Sequence, residues 1–138
     1  MTAPIKGQLQ YERLSADTIT TDMLDIIDYG YAGRRDIEIT IQQPEFTSVC
    51  PMTGLPDFGS VTVTYTPDQK IVELKSLKFY FLQYRNVGIF YEHLANQILN
   101  DLSSQLKPKR MQITGDFTAR GGITTTVTAI YERSQNET

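Results

Sequence analysis

The chain has one cysteine, one histidine and no tryptophan in 138 residues. A lone cysteine cannot close an internal disulfide, so the fold must rest on its own core, and a reducing, cytoplasmic setting is expected. A zinc site usually draws on three or four Cys, His or carboxylate ligands, and Cys50 with His93 does not make such a set, so no metal is expected. Excess positive charge is missing too. With 13 Lys and Arg against 16 Asp and Glu, the net charge of -3 argues against direct nucleic-acid binding, which depends on neutralising phosphates. No window approaches the roughly 20 apolar residues of a membrane span. The start, Met1 to Lys6, lacks the apolar core and small-residue cleavage pattern of a secretion signal. Neither a Gly-x-Gly-x-x-Gly turn after a strand nor a Gly-x-x-x-x-Gly-Lys loop occurs, so neither common nucleotide-binding signature is present. What remains, 40% hydrophobic and 21% charged, is the composition and size of one domain spanning 1–138.

The stretch Glu45-Phe46-Thr47-Ser48-Val49-Cys50-Pro51-Met52-Thr53-Gly54-Leu55-Pro56-Asp57-Phe58-Gly59 concentrates the chemistry. Proline fixes φ and glycine permits turns closed to other residues, so a loop over 45–59 could hold Cys50 and Asp57 in a defined relation. A thiol is reactive to the extent that it is thiolate, and pairing one with an acid suits covalent catalysis. The plain alternative is a small buried Cys50 with Asp57 capping a turn. Cys50, His93 and Asp57 could also form a hydrolytic triad if the fold gathers them.

Periodicity supplies the frame. The region to about Gly33 reads as an arm with a short helix over 21–27, capped by Thr20 or Thr21. Strict alternation predicts strands over 36–42 and 59–66, the first with Ile37, Ile39 and Ile41 on one side. The apolar, aromatic stretch from Ile71 to about Arg85 is expected to be a further strand covered on both faces, with Glu73 and Lys75 on one side and Lys78 on the other. Phe90, Leu94, Ile98 and Leu102 recur every fourth residue until Pro108, which predicts an amphipathic helix with Glu92 near its first turn and off the apolar stripe. Residues 110–118 and 123–132 form a hairpin around Ala119-Arg120-Gly121-Gly122, and the polar end after about Ser134 should fray. The sum is an α+β fold, an antiparallel sheet with helices layered on one face. Its thin core suggests that neighbouring subunits cover part of the sheet.

Three segments in this order, Glu45 to Phe58, Glu73-Leu74-Lys75-Ser76-Leu77-Lys78-Phe79-Tyr80 and Arg85-Asn86-Val87-Gly88-Ile89-Phe90-Tyr91-Glu92, resemble the short, single-domain NADPH-dependent nitrile reductases, the 7-cyano-7-deazaguanine (preQ0) reductases of queuosine biosynthesis. The likeness runs from about residue 36 to 124 and takes in Phe117 to Ile123. It implies the tunnelling fold, in which subunits join antiparallel sheets into a barrel and active sites lie between subunits of a homo-oligomer. It also implies roles. Cys50 would be the nucleophile that forms a thioimide with the nitrile, and Asp57 the proton donor, which must then hold a proton near neutral pH through burial. Val72, Glu73, Leu74, Tyr91 and Glu92 would bind substrate, with Glu92 reading the base. Lys75, Lys78 and Arg120 would bind the phosphates of NADPH. Tyr91 stands where some relatives carry His, and Ala119 where a proline is common. Two further possibilities share the fold: a cyclohydrolase-like pterin enzyme, which the single histidine disfavours, and a purine-binding protein without catalysis.

Overall fold

The computed structural model describes residues 11–134. In chain order these form β1 (Ile26–Asp28), β2 (Ile39–Val49), β3 (Pro56–Thr66), β4 (Lys70–Val72), α1 (Leu74–Leu82), α2 (Tyr91–Leu106), β5 (Arg110–Arg120) and β6 (Ile123–Glu132), with 3-10 turns at Ala16–Thr18 and Gln83–Asn86. Alternating residues build the main sheet, whose four strands run antiparallel in the order β2-β3-β5-β6. Val61, Val63 and Tyr65 of β3 and Met111, Ile113 and Phe117 of β5 are buried on one face, while Thr62, Thr64 and Thr66 take the other. α2 packs against β5 and β6; α1 and the turn after it pack against β2, so both helices lie over the same sheet. β1 and β4 pair separately as a two-stranded ribbon.

The four-residue stripe produces α2 as expected, with Leu94, Ile98, Leu102 and Leu106 buried. Lys107 ends it in the left-handed conformation at φ 47, its N–H bonded to the Ser103 carbonyl, and Pro108 prevents another turn. β3, β5 and β6 also follow their alternation.

Elsewhere the fold departs from the expectations. Residues 71–85 do not form a strand. β4 stops at Val72, and α1 begins after Glu73, whose carboxylate accepts from the Lys75 and Ser76 N–H groups at 2.8 and 2.7 Å. Leu77, Tyr80, Phe81 and Tyr84 then face the core at helical spacing. Lys75 and Lys78 are therefore neighbours one turn apart on a helix, not residues on opposite faces of a strand. Residues 21–27 carry a turn and the start of β1, because pairing Ile26 with Val72 and Ile27 with Ile71 outweighs local helix preference. The strand expected over 36–42 begins at Ile39 and continues to Val49, with a bulge between Gln43 and Phe46, so the loop expected over 45–59 shrinks to the link between β2 and β3, residues 50–55. The region from Met1 to Lys6 and the tail beyond Ser134 lie outside the described residues.

One polar cluster sits within the helical layer. The Tyr80 hydroxyl donates to Asp101 at 2.6 Å and meets the Tyr84 hydroxyl at 2.9 Å, tying α1 and the following turn to α2. Burial raises the pKa of all three groups; Tyr80's hydrogen bond to Asp101 partly opposes the rise at the carboxyl.

Candidate active site

The hairpin link between β2 and β3 places Cys50. Its N–H bonds to the Leu55 carbonyl at 2.8 Å and its carbonyl accepts from Gly54 at 2.7 Å, so the link is closed on itself. Gly54 is required there: φ is 76, and a Cβ would fall 2.5 Å from the Tyr11 carbonyl oxygen. Burial raises the pKa of the Cys50 thiol, but hydrogen bonds from the Thr53 hydroxyl and from the Met52 and Thr53 backbone outweigh it, and the net shift is downward. Successive N–H groups at a tight turn form a small anion-binding concavity, here facing sulfur. The thiol is poised toward thiolate.

Backbone pairing brings the helix to the thiol. Val49 N–H bonds to the Val87 carbonyl at 3.1 Å, and Ile89 N–H bonds to the Val49 carbonyl at 3.3 Å. The chain leaving Ile89 therefore begins α2 beside Cys50, with Tyr91 and Glu92 in the first turn. A carboxylate is favoured at that position by the helix dipole.

Asp57 enters from β3. It is 6% exposed, and Arg120 at the end of β5 donates to its carboxylate and to the Pro56 carbonyl. The burial expected of Asp57 is present; Arg120, expected at the phosphates of NADPH, also meets this carboxylate. The Tyr91 ring stacks on Phe117 with centroids 3.7 Å apart and planes 7° from parallel. Gly59 makes room for that stack, because a Cβ there would lie 2.9 Å from the Phe117 ring. Burial raises the Tyr91 pKa and its hydrogen bond to Asp57 raises it further, so the hydroxyl keeps its proton across the neutral range.

These groups line one cavity of about 360 Å³, with Cys50, Asp57, Tyr91, Glu92 and Arg120 on its walls and Phe90 as an apolar side. That volume suits a ligand of purine size. A larger hollow of about 730 Å³ contains neither Cys50 nor Glu92, so size alone does not mark the chemistry. Among the described residues, no group of three or more His, Cys, Asp or Glu gathers as for a metal ion, and no helix is long and apolar enough to cross a membrane.

Five of the residues singled out in the sequence thus converge in a single chain. Val72, Glu73, Leu74, Lys75 and Lys78 do not join them. Val72 is buried with its N–H on the Tyr65 hydroxyl at 3.2 Å, Glu73 caps α1, Leu74 is exposed, and the two lysines project from α1 without an ion-pair partner among the described residues. His93 is exposed and absent from the cavity lining, so no Cys-His-Asp triad forms. Sequence reasoning missed Thr53 and Phe117. The spacing from Cys50 was a usable signal for Thr53, which a tight turn returns to its own start.

The family model described as QueF-like protein matches residues 56–136. The NADPH-dependent 7-cyano-7-deazaguanine reductase of Chlorobaculum tepidum is 54% identical over 114 residues, covering 83% of this chain and 97% of that protein. The enzyme of the same name from Chloroherpeton thalassium is 57% identical over 111 residues, covering 80% and 95%. In Elusimicrobium minutum a protein so named is 56% identical over 100 residues, covering 72% and 76%. The crystal structure of the archaeosine synthase QueF-Like in the apo form superposes with a TM-score of 0.62 over 72% of this chain and 95% of that one; at 22% identity it speaks for the fold alone. With a cavity uniting thiol, aspartate and glutamate, and with this degree of identity along most of its length, the chain belongs to the family of NADPH-dependent 7-cyano-7-deazaguanine reductases.

Proposed function

We propose that this chain reduces the nitrile of 7-cyano-7-deazaguanine (preQ0) to the aminomethyl group of preQ1 in queuosine biosynthesis, with Cys50 as nucleophile. The observation that carries the reading is a thiol with lowered pKa sharing one cavity with Asp57 and Glu92. A nitrile is a poor hydride acceptor, and covalent capture divides one hard step into easier ones. The Cys50 thiolate adds to the sp carbon. One π bond of the nitrile breaks, its electron pair moves to nitrogen, and Asp57 supplies the proton there. The result is a neutral thioimide on sulfur and a carboxylate at position 57. Tyr91 keeps its own proton and serves as a donor beside Asp57, while Glu92 accepts hydrogen bonds from the amino and ring N–H groups of the guanine-like edge. Phe90 offers that ring an apolar wall.

NADPH would supply the hydrides for the two reductions. Lys75 and Lys78 fit its phosphates, as exposed cations one helical turn apart. Arg120 is suited to a phosphate at the cavity mouth, because its side chain is 44% exposed while the Asp57 carboxylate it meets is 8% exposed. Val72, Glu73 and Leu74 lie outside the Cys50 cavity, so in this reading they reach substrate from a neighbouring copy, and the working enzyme is a homo-oligomer with sites between subunits. A reducing, cytoplasmic setting belongs to the same reading, since Cys50 must remain a free thiol.

The test is intact-mass measurement with 7-cyano-7-deazaguanine and no NADPH. The expected result is a covalent gain equal to the whole substrate mass, lost in Cys50→Ala, together with two NADPH oxidised per product in the complete reaction. Nitrile-dependent NADPH oxidation by Cys50→Ala would rule the mechanism out.

A further inference from the structure

The fold leaves one buried hydroxyl over, and it lies across from the proton donor. Ser48 is at 0% exposure, and its Oγ, among the described residues, is the buried side-chain polar atom with no hydrogen-bond partner. An unpaired buried hydroxyl is unfavourable for the folded chain, and a hydrophobe of similar size would avoid the penalty. Ser48 on β2 is the direct register partner of Asp57 on β3. Residues directly opposite on antiparallel strands point to the same face, with Cβ atoms about 4.5–5.5 Å apart, so one rotation about χ1 brings the hydroxyl within reach of the carboxyl group. Arg120 already takes one oxygen, Oδ1, from the solvent side. Ser48 approaches from the core.

We propose that Ser48 is a positioning residue for Asp57: its hydroxyl donates to the carboxylate left when Asp57 has given its proton to the substrate nitrogen. The inference rests on the function proposed above. That function has the aspartate give up a proton during capture and leaves a buried anion, toward which a hydroxyl on the facing strand becomes a charge-assisted donor. The gain exists in the product of the proton transfer and in the transition state leading to it, so it accelerates the chemical step without tightening substrate binding. That explains why an unpaired hydroxyl is tolerated in the free chain.

The experiment is Ser48→Ala, with three readouts: urea unfolding, the rate of Cys50 adduct formation with 7-cyano-7-deazaguanine in the absence of NADPH, and the substrate concentration giving half that rate. The expected variant is at least as stable as the original chain, captures the nitrile about tenfold more slowly or worse, and has an unchanged half-saturating concentration. The same substitution on an Asp57→Asn background should slow capture no further, because a group acting through the carboxylate has nothing left to act on. An unchanged capture rate overturns the proposal whether stability rises or falls, and so does an undiminished effect on the Asp57→Asn background. Failure of the original chain to capture the nitrile at all is a separate result: it sinks the proposed function, and this inference with it.

Discussion

At the scale of single residues, what matters is how few contacts prepare Cys50. Burial pushes the pKa of the thiol up; hydrogen bonds from residues 52 and 53 outweigh it, and the net shift is downward. Thr53→Val removes the side-chain donor while leaving both backbone groups. The midpoint of the pH dependence of Cys50 alkylation by iodoacetamide should then move upward, so that at a fixed pH below it less thiolate is present and alkylation is slower. An unmoved midpoint would mean that the backbone suffices. Cys50, Asp57 and Glu92 were legible from sequence because their residue types carry the chemistry. The meeting of Arg120 with Asp57 was not legible, since nothing in a sequence says which carboxylate a turn arginine will meet. Ser48 and Phe117 carried no chemical label; only strand register and ring stacking reveal them.

Among the elements, α1 shows both the strength and the limit of pattern reading. The stretch 71–85 is apolar enough on every side to pass as a covered strand, yet Leu77, Tyr80, Phe81 and Tyr84 repeat at three and four residues, and Glu73 two and three places before two free N–H groups is a cap signal. Glu73→Ala should therefore lower stability by about 0.5–2 kcal/mol in chemical denaturation, whatever it does to activity. The short β1 was illegible because its partner, β4, lies over forty residues on, and no local preference records such a pairing. The Tyr80, Tyr84 and Asp101 cluster has a pH signature. Because the Asp101 pKa is raised in the folded chain, its contribution to stability is full below its ordinary value of 3.8 and is lost as pH rises through the folded value. Asp101→Asn should remove that slope, so the stability difference between the original chain and the variant should fall as pH increases over this range. A difference constant with pH would place the titration elsewhere.

For the whole molecule, the question is what one chain leaves unfinished. Among the described residues the four-stranded sheet ends in β2 on one side, bridged only at Val49 to Gly88, and in β6 on the other, and the segment 72–78 stands apart from the Cys50 cavity. If the ligand needs both regions, they come from different copies. Mixing Cys50→Ala chains with Lys75→Ala/Lys78→Ala chains, each impaired alone, should restore part of the nitrile-dependent NADPH oxidation, and light scattering should report an assembly larger than one chain. No recovery from a mixture shown to exchange subunits would confine each site to one copy. The antiparallel sheet and the helix layer were readable from alternation and the α2 stripe, because both follow from local periodicity, whereas contacts between copies of a chain do not.

The strap formed by residues 11–14 ties these scales together. Tyr11 N–H holds the Thr53 carbonyl at 2.8 Å, Leu14 N–H holds the Asn86 carbonyl at 2.7 Å, and the Leu14 carbonyl accepts from Gly88 at 2.9 Å. This short ribbon is stitched to both banks of the cleft, the turn bearing the sulfur and the approach to the helix bearing the glutamate. Trimming the chain past position 14 would leave every reacting group in place by name and the two walls joined by the Val49 pairing alone, so residues 11–14, far from the chemistry in sequence, help to set the cleft.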